Sequence, residues 1–138
     1  MTAKKTRRAP VTQDEVKKYL SKADEFLRTA RRAIADGDYY AASLNAVHAA
    51  ISANDAVTGY FGGTRSTSED HRDAANLLME FAPREAEEWK KQASRLGRII
   101  SEKSQVAYGV EIITAKGADH LVQQAERFVD WAKGVVGD

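Results

Sequence analysis

Cysteine is absent from the chain. That absence removes disulfides, thiolate metal sites and cysteine nucleophiles together, and it fits a reducing cytoplasm. An excess of charge is missing too: 21 lysines and arginines stand against 20 aspartates and glutamates, for a formal net charge of +1. A dedicated nucleic-acid-binding protein would show a strong basic excess, so the balance argues against that class. No apolar run approaches the roughly 18 residues that span a bilayer. The basic opening MTAKKTRRAP is not followed by the apolar segment of a secretory signal. The expectation is a cytoplasmic protein with no membrane partner. At 138 residues the chain suits one domain, since single cores take about 100–200 residues. Such a domain buries roughly two-thirds of its unfolded surface and needs no covalent staple.

What is present reads as helix. Residues 1–11, with Lys4, Lys5, Arg7 and Arg8 among small residues and Pro10 at the end, have no period and read as a disordered basic arm. The domain proper is expected over residues 12–136. Thr12 and Glu15 have the spacing of a capping box, in which each side chain satisfies a backbone N–H of the other. Val16, Leu20, Ala23, Leu27, Ala30 and Ile34 then make one apolar stripe, and Gly37 closes the helix. Asp38 is placed to cap a second helix over residues 39–60. Its interior is dense in alanine, which lets neighbours approach closely and marks a central helix. Residues 61–67, with Gly62 and Gly63, read as a loop. A third helix is expected from residues 67–68 to Phe81, a fourth with Pro83 in its first turn, and a fifth capped by Thr114. Residues 109–113 are the sole β-like run. Short connections imply antiparallel neighbours, so the expected fold is all-α, an up-and-down antiparallel bundle of four to five helices.

The residues that carry chemistry are few. Asn45, His48, Ser52 and Asp55 recur at spacings of three and four, so they share one face of the second helix. His48 and Asp55 lie roughly 10 Å apart along the axis, too far for a hydrogen bond but near enough to line one pocket. The same stripe is also what a seam that only sets helix registry would show. His71 follows the glycine-rich loop, with Arg65, Glu69, Asp70, Arg72 and Asp73 around it. No HExxH and no pair of Glu-x-x-His repeats is present, so neither a metal nor a cofactor is expected. Gly62-Gly63 lacks the spacing and the lysine of a phosphate loop. No Gly-x-Ser-x-Gly stands between a strand and a helix. His120, early in the last helix, reads as a surface residue without a role.

At this point a family resemblance emerges. Ala35-Asp36-Gly37-Asp38-Tyr39-Tyr40-Ala41-Ala42, followed by Ala46-Val47-His48-Ala49-Ala50, resembles the turn and second helix of HEPN domains (higher eukaryotes and prokaryotes nucleotide-binding). Asp70-His71-Arg72-Asp73-Ala74-Ala75 looks like that family's third-helix start. Lys103 to Gly109 resembles its Lys/Arg-x-x-Ala-x-Tyr stretch, and Ala125-Glu126-Arg127-Phe128-Val129 its last helix. The likeness covers about residues 12–133, and small stand-alone actinobacterial members resemble the chain most.

The resemblance implies a homo-oligomer, normally a dimer. Many members are ribonucleases with Arg-x(4–6)-His near the last core helices. Arg65-x5-His71 has that spacing but stands before the third helix, and residues 103–108 hold no such pair. Other members partner small nucleotidyltransferases in two-gene modules of toxin–antitoxin type, or bind nucleotides without cleaving them. The expected function is therefore a non-catalytic binding module for a nucleotide, RNA or a partner protein. Its expected binding residues are Asn45, His48, Asp55, His71, Lys103 and Tyr108. One alternative is a metal-independent endoribonuclease using Arg65 and His71. Another is a structural helical adaptor.

Overall fold

The computed structural model describes residues 7–109 and 112–137, apart from the side chains of His71, Ser104, Gln105, Ala107 and Tyr108. Helix α1 (Gln13–Asp36) begins with the expected capping box. The Glu15 N–H donates to Thr12 Oγ1 at 3.2 Å, and the Thr12 N–H to Glu15 Oε1 at 2.9 Å. These bonds satisfy donors that a helix start otherwise leaves orphaned. Val16, Leu20, Ala23, Leu27, Ala30 and Ala33 form the buried stripe. Gly37 ends the helix at φ 78°, in the left-handed region that glycine reaches without steric cost.

Helix α2 (Tyr39–Gly62) follows immediately. The side-chain cap expected from Asp38 is not made. At ψ 74° this residue is away from the extended geometry that aims a cap at the first turn. Backbone bonds close the corner instead, from the Asp38 N–H to the Ala33 carbonyl at 2.8 Å. Beyond Ala42, α2 is buried on almost every side. Its alanines let it pack at once against α1, α4 (Glu87–Tyr108) and α5 (Ala115–Val136), so it is the axis of the bundle.

The N-terminal boundary differs from expectation. Arg8–Pro10 forms strand β1, antiparallel to strand β2 (Thr64–Ser66), with Ala9 opposite Arg65. Residues 8–11 are therefore ordered rather than part of a free arm, and the loop after α2 contains a strand. The cause is Val11, buried in a small cluster with Val16, Leu20 and Ala56. Its burial ties the chain to α1 and α2 and brings β1 alongside β2. Pro10 is tolerated because a two-stranded ribbon consists only of edges. Arg8 also pairs with Glu80.

Helix α3 (His71–Glu80) starts later than the serines and threonine suggested. Asp70 is the cap, its Oδ1 accepting from the Arg72 N–H at 2.9 Å. Ser68 is used in the loop before it, donating to Asp73 Oδ2 at 2.6 Å and accepting from the Asp70 N–H at 3.1 Å. Pro83 likewise precedes α4 instead of opening it, because Glu85 takes a positive φ of 56° between them. Thr114 caps α5 as expected, accepting from the Gly117 N–H at 3.0 Å. One end of the bundle is closed by an aromatic chain, Phe61 on Trp89 and Trp89 on Trp131, each pair edge to face at 5.3 and 5.1 Å. The described residues thus form an all-α bundle of five helices with one short ribbon. No helix among the described residues is long and apolar enough to cross a membrane.

Candidate functional site

A polar pocket of 220 Å³ opens beside the C-terminal half of α2. Ile51, Asn54 and Asp55 form its floor. The β2 ribbon and the turn into α3 form one wall, and Ile100 and Lys103 of α4 form the other. Each element is there for a physical reason already given. The alanines of α2 draw α4 close, Val11 holds the ribbon down, and the Ser68 and Asp70 bonds hold the turn.

The floor is unusual chemically. Asn54 is 2% exposed, and its Oδ1 is fully buried with no hydrogen-bond partner among the described residues. Buried acceptors are nearly always paired, so an enclosed one without a partner in a pocket-lining side chain stands out. Thr58 Oγ1, one turn further on, also lacks a partner among the described residues, but it stands outside the pocket wall. Asp55, 7% exposed, is pushed up to about 7 by burial, against a smaller opposing pull from Arg65 and Lys22. Removal from water disfavours a carboxylate, and neither cation is close enough to restore its ordinary acidity. Near neutral pH this side chain therefore presents both a donor and an acceptor form.

The pocket also holds cations. Arg65 of β2 and Lys103 of α4 both line it. Of the acids on the rim, Asp70 is engaged by the Arg72 guanidinium at 3.0 Å. His48 stands one turn before Ile51 on α2, outside the wall itself. Its ring lies against Phe26, centroids 5.4 Å apart. Burial, then the charges of Lys103 and Lys22, hold its pKa below the ordinary histidine value, so it is neutral at pH 7.

Of the expected binding residues, the fold brings Asp55 and Lys103 into one pocket and sets His48 beside it. Arg65, expected only as a catalytic candidate, joins them. Asn45 is not brought there; its Nδ2 donates to the Ala41 carbonyl at 2.8 Å within α2. Ser52 is buried without lining the pocket. His71 is the first residue of α3 and Tyr108 the last of α4, and both side chains lie outside the described residues. Asn54 was missed by sequence reasoning. Its signal was present, a second polar residue beside Asp55 in an alanine-rich helix, but it lies off the stripe of threes and fours. Among the described residues no three histidine, aspartate or glutamate side chains are grouped to hold a metal ion.

The comparisons with known proteins agree with the architecture. The HEPN domain model matches residues 16–135. Among solved structures the chain is similar to an archaeal HEPN homologue, at 22% identity and a TM-score of 0.64, over 88% of this chain and 97% of that one. No curated protein is a significant match. A bundle with this helix order, matched by the family model over most of its length, places the chain in the HEPN family.

Proposed function

We propose that the chain is a non-catalytic binding module that takes a nucleotide in the pocket above Asn54 and Asp55. The observation that supports this most is the pair of nearly buried polar side chains, Asn54 and Asp55, on a cavity that Arg65 and Lys103 also line. A nucleobase edge carries both N–H donors and acceptors, which suits a floor made of an amide and a carboxyl that titrates near neutral pH. A phosphate supplies the anion for which two cations on the lining are suited. An apolar ligand would leave the floor unsatisfied, and a simple anion would leave it unused.

Calorimetric titration with AMP, GMP and CMP, beside ribose 5-phosphate, tests the reading. The nucleotides bind and the sugar phosphate binds much more weakly. Lys103→Ala weakens the nucleotides by roughly tenfold, the worth of one charge-assisted bond. Equal binding of ribose 5-phosphate would remove the role given to the floor, and no binding at all would leave the adaptor reading.

A second reading has one observation in its favour. Arg65 lines the same pocket, and His71 opens the helix next to its wall. In an endoribonuclease, Arg65 would stabilise charge on the scissile phosphate while His71 moved the proton. Incubation with single-stranded and structured RNA distinguishes the two. Cleavage by the native chain that disappears in Arg65→Ala favours the enzyme, and intact RNA favours binding alone.

A further inference from the structure

A larger cavity, 490 Å³, lies between α4 and α5 and shares no wall residue with the nucleotide pocket. Ile99, Val106, Ile113 and Leu121 make its apolar side. Its inner wall contains Arg95, which is 8% exposed. The Arg95 Nε–H donates to Gln124 Oε1 and an Nη1–H to Gln92 Oε1, each at 2.9 Å. Two neutral acceptors thus engage a side chain that carries five N–H donors. No carboxylate pairs with it among the described residues, and Arg31, Arg72 and Arg8 by contrast each have one.

A buried cation without a counter-charge is costly, because glutamine oxygens replace only part of the hydration lost. Burial, with repulsion from Arg127 and Arg98 that outweighs the attraction of Glu88, holds this guanidinium's pKa below its ordinary value. Arg98 and His120 also reach the cavity from exposed positions, and Glu102 is the acid at its rim. The buried charge is therefore positive, and Ile99, Val106, Ile113 and Leu121 supply the apolar part of a lining that also holds Ser43, Thr114 and Gln124.

We infer that the α4–α5 cavity is a second ligand site, for an organic anion whose carboxylate or phosphate monoester meets Arg95 and whose apolar body fills the space against Ile99, Val106 and Leu121. A guanidinium offers either head group two parallel N–H bonds, which a lysine could not. The apolar wall then distinguishes such a ligand from inorganic phosphate or acetate, which leave it empty.

The test uses the full chain with octanoate, octyl phosphate and octanol as probes. Calorimetry gives the affinities, and NMR follows the Arg95 Nε–H. At least one of the two anions is expected to bind one per chain, roughly ten- to hundredfold tighter than octanol, and to shift the Arg95 Nε–H. Whichever anion binds tighter identifies the head group. In Arg95→Met the advantage of the anion over octanol disappears while octanol still binds. Octanol equal to both anions, an advantage that survives in Arg95→Met, or no binding of either anion overturns the proposal. Should Arg95→Met fail to fold, the native protein decides the matter. An Arg95 Nε–H unmoved at saturation overturns the assignment, and a saturable shift with the anion but not with octanol sustains it.

Discussion

Val11 fills the space that Gly59 leaves on α2: a Cβ placed on Gly59 would fall 2.5 Å from Val11 Cγ1 and 3.0 Å from its Cβ. The contact joins the segment before α1 to α2, one turn beyond the floor of the pocket. It fixes β1, β1 pairs with β2, and β2 carries Arg65 into the wall. A glycine in a helix interior costs up to about 1 kcal/mol relative to alanine, so its place here reflects the close approach.

Gly59→Ala is therefore expected to lower stability by about 1–2 kcal/mol. The overlap with a branched side chain hemmed in by Val16 and Leu20 outweighs the gain in helix propensity. Urea unfolding measures the loss. Combining it with Val11→Ala should relieve the overlap, so the double variant falls short of the sum of the two single losses.

Asp55 makes stability depend on pH. Its folded pKa of about 7 lies above the ordinary 3.8, so the native state holds the proton more tightly than the unfolded chain. Stability is then greatest below about pH 4, falls as pH rises towards 7, and levels off above it. The loss is on the order of a few kcal/mol. Asp55→Asn should flatten this slope and exceed the native chain in stability at pH 8, measured by thermal unfolding across the range.

His48 acts in the opposite direction. Its folded pKa lies below 6.5, so the unfolded state takes up the proton first and stability falls as pH drops below about 6.5. His48→Gln should remove that acid-side loss. An unchanged slope between pH 5 and 6.5 would mean that the ring against Phe26 titrates like a free histidine.

Asn54→Leu separates stability from binding. The substitution removes an unpaired buried acceptor and keeps the shape of a side chain branched at Cγ, with the larger methyls taking up pocket space, so the free protein should gain about 1 kcal/mol. The same change should weaken GMP or AMP by roughly tenfold, because the floor loses an acceptor. Stability lost together with binding would show that Asn54 is structural.

The bundle was legible in the sequence because its determinants are local. The Thr12–Glu15 pair, Gly37 and Thr114 mark helix ends through bonds made within a turn, and the alanines of α2 announce a central helix. The ribbon was not legible. Three-residue strands have no period to detect, and what orders β1 is the burial of Val11 against Ala56, a contact between distant parts of the chain. The site was legible in part. Spacing placed His48 and Asp55 on one face of a helix, but only the tertiary arrangement of β2 and α4 sets Arg65 and Lys103 around them. Asn45 shows the converse, since it shares the stripe yet turns back to its own helix.

NMR on the chain titrated with GMP and AMP, following the Asn54 side-chain amide and the Asp55 carboxyl carbon, decides whether a nucleotide lies on this floor. Both resonances are predicted to move saturably with the nucleotide, and the Asp55 titration to shift from its value of about 7 in the free protein. Nucleotide binding that leaves Asn54 and Asp55 unmoved at saturation would contradict the account and place the ligand elsewhere on the bundle.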